Sequence, residues 1–402
     1  MASFPSTSAV DPHETGMSRQ RAWVEVDTAA IFHNTRALLA HIGRDTELMA
    51  VVKADGYGHG ALPVARAALA GGASSFGVAT LAEGVELRCA GITTPILILG
   101  NLTQPDELSS CLRWQLMPTI CGLKEAWLCH NLASDSGRSM ALQLKLDTGM
   151  ARLGADWSEG PQLVAAIQGL DSIEMVGIYS HLASADAEPT HLDSLTQQQH
   201  HRFEQVLTSL RQQGLATGSR HLANSAGTLG RRDLHYDLVR VGLALYGHAP
   251  APHLADVLPL RPAMRVLART TLLRNVPAGV GVSYGHRFRT SRPSRLAVVA
   301  IGYADGVNRL LSNRMEVLFS GKRLPQVGAI TMDQIVIDAT EAPDLVVGDA
   351  VILLGSEDGP SISPWEWSHC CGTIPWEILC SFKHRLPRLS SKSEHEATPV
   401  EP

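Results

Sequence analysis

The stretch AVVKADGYGHGA, from Ala50 to Ala61, places one lysine at the end of an apolar run and three glycines soon after it. The apolar part is typical of a buried β-strand, and Lys53 is its only cation. Glycines allow a backbone to approach a ligand closely, and Tyr57 offers a phenol as a hydrogen-bond partner. A strand that ends in a lysine and a glycine-rich loop therefore predicts a binding or catalytic site.

The composition of the chain excludes several classes of protein. The 402 residues, 45% of them hydrophobic, are enough for two domains. The net charge is −5 and no basic run is interleaved with aromatic residues, so nucleic acid is not expected as a partner. No apolar run reaches the roughly 18 residues of a membrane span, and no signal peptide precedes the first domain. We therefore expect a soluble, cytoplasmic protein.

The order of strands and helices predicts the fold class. From Trp23 onward, eight short apolar runs alternate with segments of helical periodicity, which is typical of a parallel sheet covered by helices. We predict a (β/α)8 barrel, similar to a TIM barrel, over residues 18–255; a doubly wound open sheet is the alternative. Residues 256–390 contain strands separated by Gly, Pro and Asp turns, which predicts a C-terminal all-β domain.

The two ends and the cysteines complete this organisation. Residues 1–17 form a predicted disordered leader, and residues 391–402 a predicted disordered tail, because both are polar and lack periodicity. The seven cysteines are an odd set without CxxC spacing, so we expect buried, reduced thiols rather than disulfides.

In a barrel of this kind, reactive side chains lie at the carboxyl ends of the strands, where Lys53 is predicted to be. An ammonium group held against an apolar wall loses solvation and becomes usable as a nucleophile. The structural alternative is a lysine whose stem covers apolar surface while its charge reaches water. The glycine-rich loop that follows favours the first interpretation.

Eight motifs, in order along roughly residues 20–390, resemble those of the alanine racemase family. One short motif could match by chance, but eight motifs in the order found in that family are a specific signal of membership. They are AVVKADGYGHG (50–60), KLDTGMARLG (145–154), YSHLASAD (179–186), HLANSAGTL (221–229), VRVGLALYG (239–247), VSYGHRF (282–288), AIGYADG (300–306) and TMDQ (331–334).

The resemblance implies an isomerase that interconverts L-alanine and D-alanine and supplies D-alanine for peptidoglycan. Lys53 would form the Schiff base with pyridoxal 5'-phosphate (PLP). Inversion of a stereocentre needs a base on each face of the substrate, and the resemblance assigns Lys53 to the D-alanine face and Tyr284 to the L-alanine face. It also implies a homodimer in which Tyr284, Met332 and Asp333 reach the partner's barrel.

The same resemblance assigns further binding roles. Arg240 would face the pyridine nitrogen of PLP, and because a guanidinium does not give up its proton easily, the ring would stay unprotonated. Arg152 would bind the substrate carboxylate, and Lys145 matches a lysine that is often carbamylated. The remaining cofactor contacts would be the phosphate-binding Tyr57, Ser225, Gly242, Leu243 and His384, together with His181 and Asn224 near the ring.

Three positions depart from the family pattern. Thr331 replaces a usual cysteine, Ala329 replaces a frequent arginine, and His384 stands where a second phosphate-binding tyrosine is usual. The first two change packing near the site, and the third bears on how the cofactor is held and on the range of substrates. A serine or broad-specificity amino-acid racemase is the alternative function.

Other PLP proteins fit the sequence less well. A barrel-only PLP-binding protein lacks the C-terminal β domain, and related decarboxylases carry a Cys-Glu-Ser motif that this chain does not contain. The His-Cys-Cys sequence at 369–371 has the His-x-Cys spacing of zinc-dependent relatives. The motifs around Tyr284 and Met332 argue against that class, so no metal is expected.

Overall fold

The computed structural model describes residues 21–188, 194–357, 359–382 and 384–390. These residues form two compact units. The barrel unit contains Thr28–Gly56 and Gly60–Pro262, and the β unit contains the described parts of Met1–Asp27, Tyr57–His59 and Ala263–Pro402. The first strand, β1 (Ala22–Val26), belongs to the β unit. The predicted leader, residues 1–17, and the predicted tail, residues 391–402, lie outside the described residues.

The barrel unit is built on eight parallel strands that are hydrogen-bonded in the order β10-β2-β3-β4-β5-β6-β8-β9. Most are apolar runs whose residues are buried on both faces, as strands inside a layer of helices must be. Their bounds, with the two-residue strand β7 that pairs with β6, are β2 (Glu47–Val51), β3 (Ser75–Val78), β4 (Ile96–Asn101), β5 (Met117–Ile120), β6 (Met140–Asp147), β7 (Ala155–Asp156), β8 (Ile173–Tyr179), β9 (Ser219–His221) and β10 (Leu238–Val241).

Helices connect these strands, and their ends follow the usual capping rules. Thr80 caps the helix that follows β3: its side chain accepts from Glu83 N–H, and Glu83 in turn accepts from Thr80 N–H. The helices of this part of the chain are α1 (Thr28–Ile42), the single turn α2 (Lys53–Tyr57), α3 (Ala61–Gly71), α4 (Leu81–Cys89), α5 (Pro105–Trp114), α6 (Leu123–Asp135), α7 (Gly160–Gln168), α8 (Ser194–Gln212) and α9 (Ser225–Gly230).

The ring of strands is nearly closed. β10 pairs with β2 in a parallel ladder from Leu238 opposite Glu47 to Val241 opposite Ala50. Two backbone hydrogen bonds join the segments around β9 and β10, the second of them from Arg240 N–H to Ala223 O at 3.0 Å. The predicted (β/α)8 barrel is confirmed, and the open doubly wound sheet is not found.

The β unit holds a mixed sheet with the strand order β16-β15-β18-β11-β1-β20. The long strand β11 pairs with β1 and β18 through its first half and with β14 through its second half, and the ladder with β14 contains a bulge between Thr270 and Leu272. The strands are β11 (Met264–Val276), β12 (Gly281–Val282), β13 (Phe288–Arg289), β14 (Ser294–Val299), β15 (Glu316–Phe319), β16 (Lys322–Pro325), β17 (Ile335–Asp338), β18 (Ala350–Ser356), β19 (Ser361–Ile362) and β20 (Arg388–Ser390).

The structure differs from the sequence prediction in the place of β1 and in the content of the β unit. We placed residues 18–255 in the barrel, but β1 pairs antiparallel with β11 and parallel with β20, so it belongs to the other sheet. The β unit, predicted to be all β, also contains the short helices α10 (Pro364–Cys371) and α11 (Pro375–Ser381). Each begins with proline at its first position, where proline is tolerated.

The cysteines are free thiols, as predicted, but most of them are not buried. All seven are free thiols, but only Cys111 and Cys129 are buried, and Cys89 is exposed at the end of α4. The expectation that all would be buried was wrong, because the others lie near helix ends and loops. Among the described residues, no helix is long and apolar enough to span a membrane.

Candidate active site

Lys53 lies two residues beyond the end of β2 and opens a strained turn. The three residues after it have φ between 52° and 59° and ψ between 46° and 49°, the left-handed helical region. Such a conformation costs roughly 1–2 kcal/mol per non-glycine residue. Two carboxylates hold the turn: Glu83 accepts from Ala54 N–H at 2.7 Å, and Asp55 accepts from Ala61 N–H at 2.8 Å. Strain supported in this way is typical of a functional segment.

Cationic side chains converge on the mouth of the barrel. Burial, together with the positive charges of Arg240, Arg152 and Lys53, lowers the pKa of Lys145 to about 8. Burial and the same set of charges lower the pKa of His181 well below its usual value. The structure therefore brings together five residues that the sequence singled out. A concentration of positive charge of this kind suits an anionic ligand.

Arg240 is buried, with 4% of its surface exposed, and its guanidinium is held by neutral partners. Its Nη2 donates to Ser180 O at 2.7 Å and Leu222 O at 3.1 Å, and contacts Nδ1 of His181 at 3.2 Å. No carboxylate contacts it within the described residues. Burial lowers the pKa of Arg240 to about 10, so it is still a cation at neutral pH.

A second group of buried side chains supports Arg240 from the barrel interior. Its Nη1 lies 2.9 Å from Nδ1 of His221, and Nε2 of His221 lies 2.7 Å from Oε1 of Gln143. The ring of Tyr179 stacks on His221 with centroids 4.7 Å apart and an interplanar angle of 8°. The Tyr179 hydroxyl lies 2.7 Å from Oγ1 of Thr119. These contacts fix the plane of the His221 ring.

The loop that carries Arg152 is organised by a carboxylate. Asp147, the last residue of β6, accepts hydrogen bonds from Gly149 N–H at 2.9 Å and Met150 N–H at 2.8 Å. Burial alone would raise the pKa of Asp147, but these backbone hydrogen bonds lower it. Arg152 itself is exposed. Its side chain is free to turn towards a ligand while its backbone is held.

The predicted phosphate site lies between β9 and the end of β10. Ser225 Oγ accepts from Gly242 N–H at 3.0 Å and from Ala244 N–H at 3.3 Å. Because both acceptor positions of the hydroxyl are used, its hydrogen is left to donate outward. Within the described residues, Leu243 N–H has no hydrogen bond, so it is a second donor at this place. Asn224 caps α9 by accepting from Gly227 N–H at 3.0 Å.

In the β unit, Tyr284 is displayed on an exposed turn with 72% of its surface accessible. The turn has positive φ at Ser283 (59°), Gly285 (69°) and His286 (44°). Ser283 Oγ donates to Ala329 O at 2.7 Å, which ties this turn to the segment that leads to Met332. The turn therefore holds the Tyr284 side chain out towards solvent, where another molecule can reach it.

The segment Thr331–Gln334 is a turn closed on itself. Thr331 Oγ1 donates to Gln334 O at 2.8 Å, so the threonine that replaces the family's cysteine has a structural partner. A Cβ on Gly302 would lie 2.3 Å from Thr331 O, so only glycine fits there. Met332 is 53% exposed, and Asp333 pairs with Arg385 at 2.8 Å.

The other two predicted phosphate ligands, Tyr57 and His384, lie in the β unit. Tyr57 is buried, and burial raises the pKa of its phenol far above its usual value. A Cβ on the neighbouring Gly58 would lie 2.5 Å from Leu379 O, so this glycine serves a close approach to α11 rather than to a ligand. His384 is exposed in a turn. Its predicted contact with phosphate stays a prediction.

Several residues of the site were not singled out from the sequence. Gln143, Tyr179 and His221 lie on three different barrel strands, and only the fold brings them together. Tyr303, in the motif AIGYADG, is 44% exposed, and its N–H donates to Thr331 O in the turn that carries Met332. The His-Cys-Cys segment at 369–371 lies on α10, and no group of three or more potential metal ligands occurs among the described residues.

The barrel and its cationic mouth are suited to a small anionic molecule at the carboxyl ends of the strands. Two family models match the chain: the alanine racemase N-terminal domain over residues 26–250 and the alanine racemase C-terminal domain over residues 263–390. An alanine racemase of Prochlorococcus marinus is 54% identical over 372 residues, which cover 92% of this chain and 96% of that protein.

Solved structures give the same result. The alanine racemase of the D-cycloserine producer Streptomyces lavendulae superposes with a TM-score of 0.86 at 37% identity, covering 93% of this chain and 98% of that one. The alanine racemase of Bartonella henselae, solved with covalently bound pyridoxal phosphate, gives 0.82 at 34% identity, covering 92% and 100%. This chain belongs to the alanine racemase family, and the resemblance seen in its sequence is confirmed.

Proposed function

We propose that this protein is a PLP-dependent racemase that interconverts L-alanine and D-alanine. The observation that carries the proposal is the group of cations around Lys53 at the barrel mouth, in a chain that belongs to the alanine racemase family. A substrate carboxylate and a cofactor phosphate are both anionic, and both need such partners. The cytoplasmic location and the supply of D-alanine for peptidoglycan belong to the same proposal.

The residues at the barrel mouth fit PLP. Lys53 would hold it covalently, and the Ser225 hydroxyl and the Leu243 N–H would donate to its phosphate. Gly242 keeps the Ser225 oxygen in place through its own N–H. Tyr57 and His384 are the further phosphate ligands that we propose, and His181 and Asn224 complete the surroundings of the ring. When bound, PLP supplies an electron sink that makes the Cα–H of an amino acid acidic.

Arg240 would donate a hydrogen bond to the pyridine nitrogen. Its Nε–H and second Nη1–H carry no hydrogen bond within the described residues, so donors are available. Because its pKa stays at about 10 despite burial, Arg240 keeps its proton at neutral pH and donates without transferring it. The ring nitrogen would then stay unprotonated, and bound PLP would be a weaker electron sink.

Two bases would serve the two faces of the substrate. Lys53 Nζ removes or returns the proton of D-alanine, and the Tyr284 hydroxyl does so for L-alanine. Arg152 binds the substrate carboxylate, and Met332 and Asp333 line the approach.

Lys145 suits carbamylation, because the reaction with CO2 needs a neutral amine. With a pKa of about 8, the side chain is partly neutral at physiological pH. The amine adds to CO2 and releases one proton, which leaves a carbamate anion. That anion would offset the positive charges of Arg152 and Arg240.

The β unit supports our further proposal of a homodimer with composite sites. Tyr284 and Met332 are 72% and 53% exposed on anchored turns, and a second copy of the chain would bring them to the other copy's barrel. Analytical ultracentrifugation tests the dimer directly.

Purified protein tests the function. Incubated with PLP and L-alanine, it should bring the optical rotation to zero and yield equal amounts of both enantiomers. A panel of other amino acids, with L-serine first, tests the breadth of the substrate range. Loss of rotation with serine at a rate equal to that with alanine would overturn the assignment to alanine.

A further inference from the structure

Gln143, on β6, makes a buried hydrogen bond to the imidazole ring of His221. Its Oε1 lies 2.7 Å from Nε2 of His221, and both side chains are buried, with 5% and 0% of their surfaces exposed. On the other side of the ring, Nδ1 of His221 lies 2.9 Å from Nη1 of Arg240. The imidazole is thus held between an amide and a guanidinium.

The direction of both hydrogen bonds follows from Arg240. A guanidinium nitrogen only donates, so Nδ1 of His221 must accept and carries no hydrogen. The single hydrogen of the neutral ring is then on Nε2, and it needs an acceptor. Gln143 therefore presents its oxygen, not its amino group, to His221. Burial and the Arg240 charge lower the pKa of His221 well below its usual value, which agrees with a neutral ring.

The barrel makes room for this amide. On the adjacent strand β8, a Cβ added to Gly177 would lie 3.1 Å from the Gln143 amide carbon and 3.3 Å from its nitrogen. Any larger residue at 177 would press on the amide. The Tyr179 ring, stacked on His221, stops the imidazole from turning out of plane. Strand β8, through Gly177 and Tyr179, thus holds both the Gln143 amide on β6 and the His221 ring in place.

We propose that Gln143 is a positioning residue of the reaction: by accepting the Nε2 hydrogen of His221, it keeps that ring in the tautomer whose Nδ1 accepts from Arg240. This inference rests on the proposed racemase function. With Nδ1 as an acceptor, one N–H of Arg240 is anchored and the guanidinium presents its remaining N–H groups in a fixed direction. With Nδ1 protonated, two donors would face each other, and Arg240 would be displaced.

This position of Arg240 affects how often the reaction ends in racemisation and how often it ends in pyruvate. A displaced Arg240 no longer keeps the ring nitrogen unprotonated, so more turnovers deliver the proton to the cofactor. The amino group then stays on the cofactor as pyridoxamine phosphate, and the substrate leaves as pyruvate. Each such event converts one alanine and one PLP into one pyruvate and one pyridoxamine phosphate. Pyruvate release therefore reports the orientation of Arg240.

Nitrogen-15 NMR of the holoenzyme with labelled histidine tests the tautomer directly. For His221, assigned by its loss in H221N, we expect a bound hydrogen on Nε2 and none on Nδ1. Two variants are informative. Gln143→Met keeps the size but removes the strong acceptor, and should give a mixture of tautomers. Gln143→Glu places a carboxylate next to Nε2, and should protonate both nitrogens.

In kinetic terms, Gln143→Met should lower kcat about tenfold, the effect of one lost buried hydrogen bond, with little change in KM. Pyruvate released per racemisation should rise severalfold. Gln326→Met is the matched control, because Gln326 is equally buried and hydrogen-bonded but lies in the β unit. It should lower stability without changing the His221 signals or pyruvate release.

A wild-type holoenzyme with hydrogen on Nδ1 of His221 would overturn the proposal. So would Gln143 variants that fold, bind PLP and show unchanged His221 signals and pyruvate release. A wild type with the expected tautomer but no racemisation of alanine would instead overturn the proposed function. The two failures are therefore distinct.

Discussion

Lys145 and Arg240 lie over the same aromatic ring: Lys145 Nζ is 5.4 Å and Arg240 Cζ 5.0 Å from the centroid of Tyr179. The electron-rich face of the ring attracts both cations and partly compensates their repulsion. Neither cation contacts a carboxylate within the described residues. Repulsion between the two positive charges therefore lowers the stability of the folded protein until an anion binds there.

The first prediction concerns the stability cost of Lys145. Its pKa is about 8 in the folded protein and near its usual value of 10.5 when unfolded. Below pH 8 both states are protonated, and the folded state bears the full cost of the buried charge. As pH rises from 8 to 10.5 the cost disappears. Lys145→Met should therefore stabilise the protein at pH 7, by about 3 kcal/mol, and much less near pH 10.5.

Urea unfolding of PLP-free protein in CO2-free buffer measures this difference. The titratable groups near Lys145 are Arg240, Arg152, Lys53, Cys121, His181 and Tyr179. Lys145→Arg is the matched control, because it keeps the charge at every pH and should show no gain at pH 7. An equal effect of Lys145→Met at both pH values would show that packing, not charge, is responsible.

The second prediction separates the two bases. In Tyr284→Phe, exchange of the Cα proton of L-alanine with deuterated solvent should fall by at least about a hundredfold, the usual contribution of a general base. Exchange from D-alanine should fall much less, because Lys53 is retained. Proton NMR of each enantiomer follows the exchange. Equal losses for both enantiomers would contradict the assignment of one base to each face.

The third prediction tests whether Tyr284 acts in a second copy of the chain. Mixing inactive Lys53→Ala with inactive Tyr284→Phe should restore activity, up to about a quarter of wild type, since half of the dimers are mixed and each has one intact site. Exchange between differently tagged subunits is measured in the same samples. Exchange without recovery of activity would mean that each site is built from one chain.

The fourth prediction concerns the turn that carries Met332. Gly302→Ala should shift the turn, since the new Cβ would lie 2.3 Å from Thr331 O and 2.4 Å from Met332 O. We expect a loss of stability of about 1–3 kcal/mol and a higher KM for alanine. Gly169→Ala, whose Cβ would meet its nearest atom at an ordinary 3.4 Å, is the control. Unchanged KM and stability in Gly302→Ala would contradict this prediction, because the turn would then accommodate the new Cβ without cost.

The barrel was predictable from the sequence because its strands are local apolar runs that alternate with helical periodicity. Lys53 and Arg240 were singled out because each lies in a local motif, and their roles stay predictions. The place of β1 was not, since its partner β11 begins more than two hundred residues later, at Met264. Helices α10 and α11 were missed because each is only two turns long, although Ser363 and Glu366 form a capping box before the first.

The contact between Gln143 and His221 shows the limit most clearly. The two residues are 78 positions apart and lie on strands that do not follow one another. The hydrogen-bond partner of a single polar residue in an apolar strand cannot be predicted from sequence, because the pairing depends on strand register. A register shift in β6 falls between Leu142 and Gln143, and no sequence pattern marked it.

The central claim is that Lys53, and not the nearby Lys145, holds PLP and moves a proton of alanine. Reduction of the holoenzyme with borohydride, followed by peptide mass spectrometry, tests it most directly. We expect the pyridoxyl group on Lys53 alone, in protein that racemises alanine before reduction and has lost that activity afterwards. A pyridoxyl group on Lys145, or racemisation that survives in Lys53→Ala, would contradict the claim.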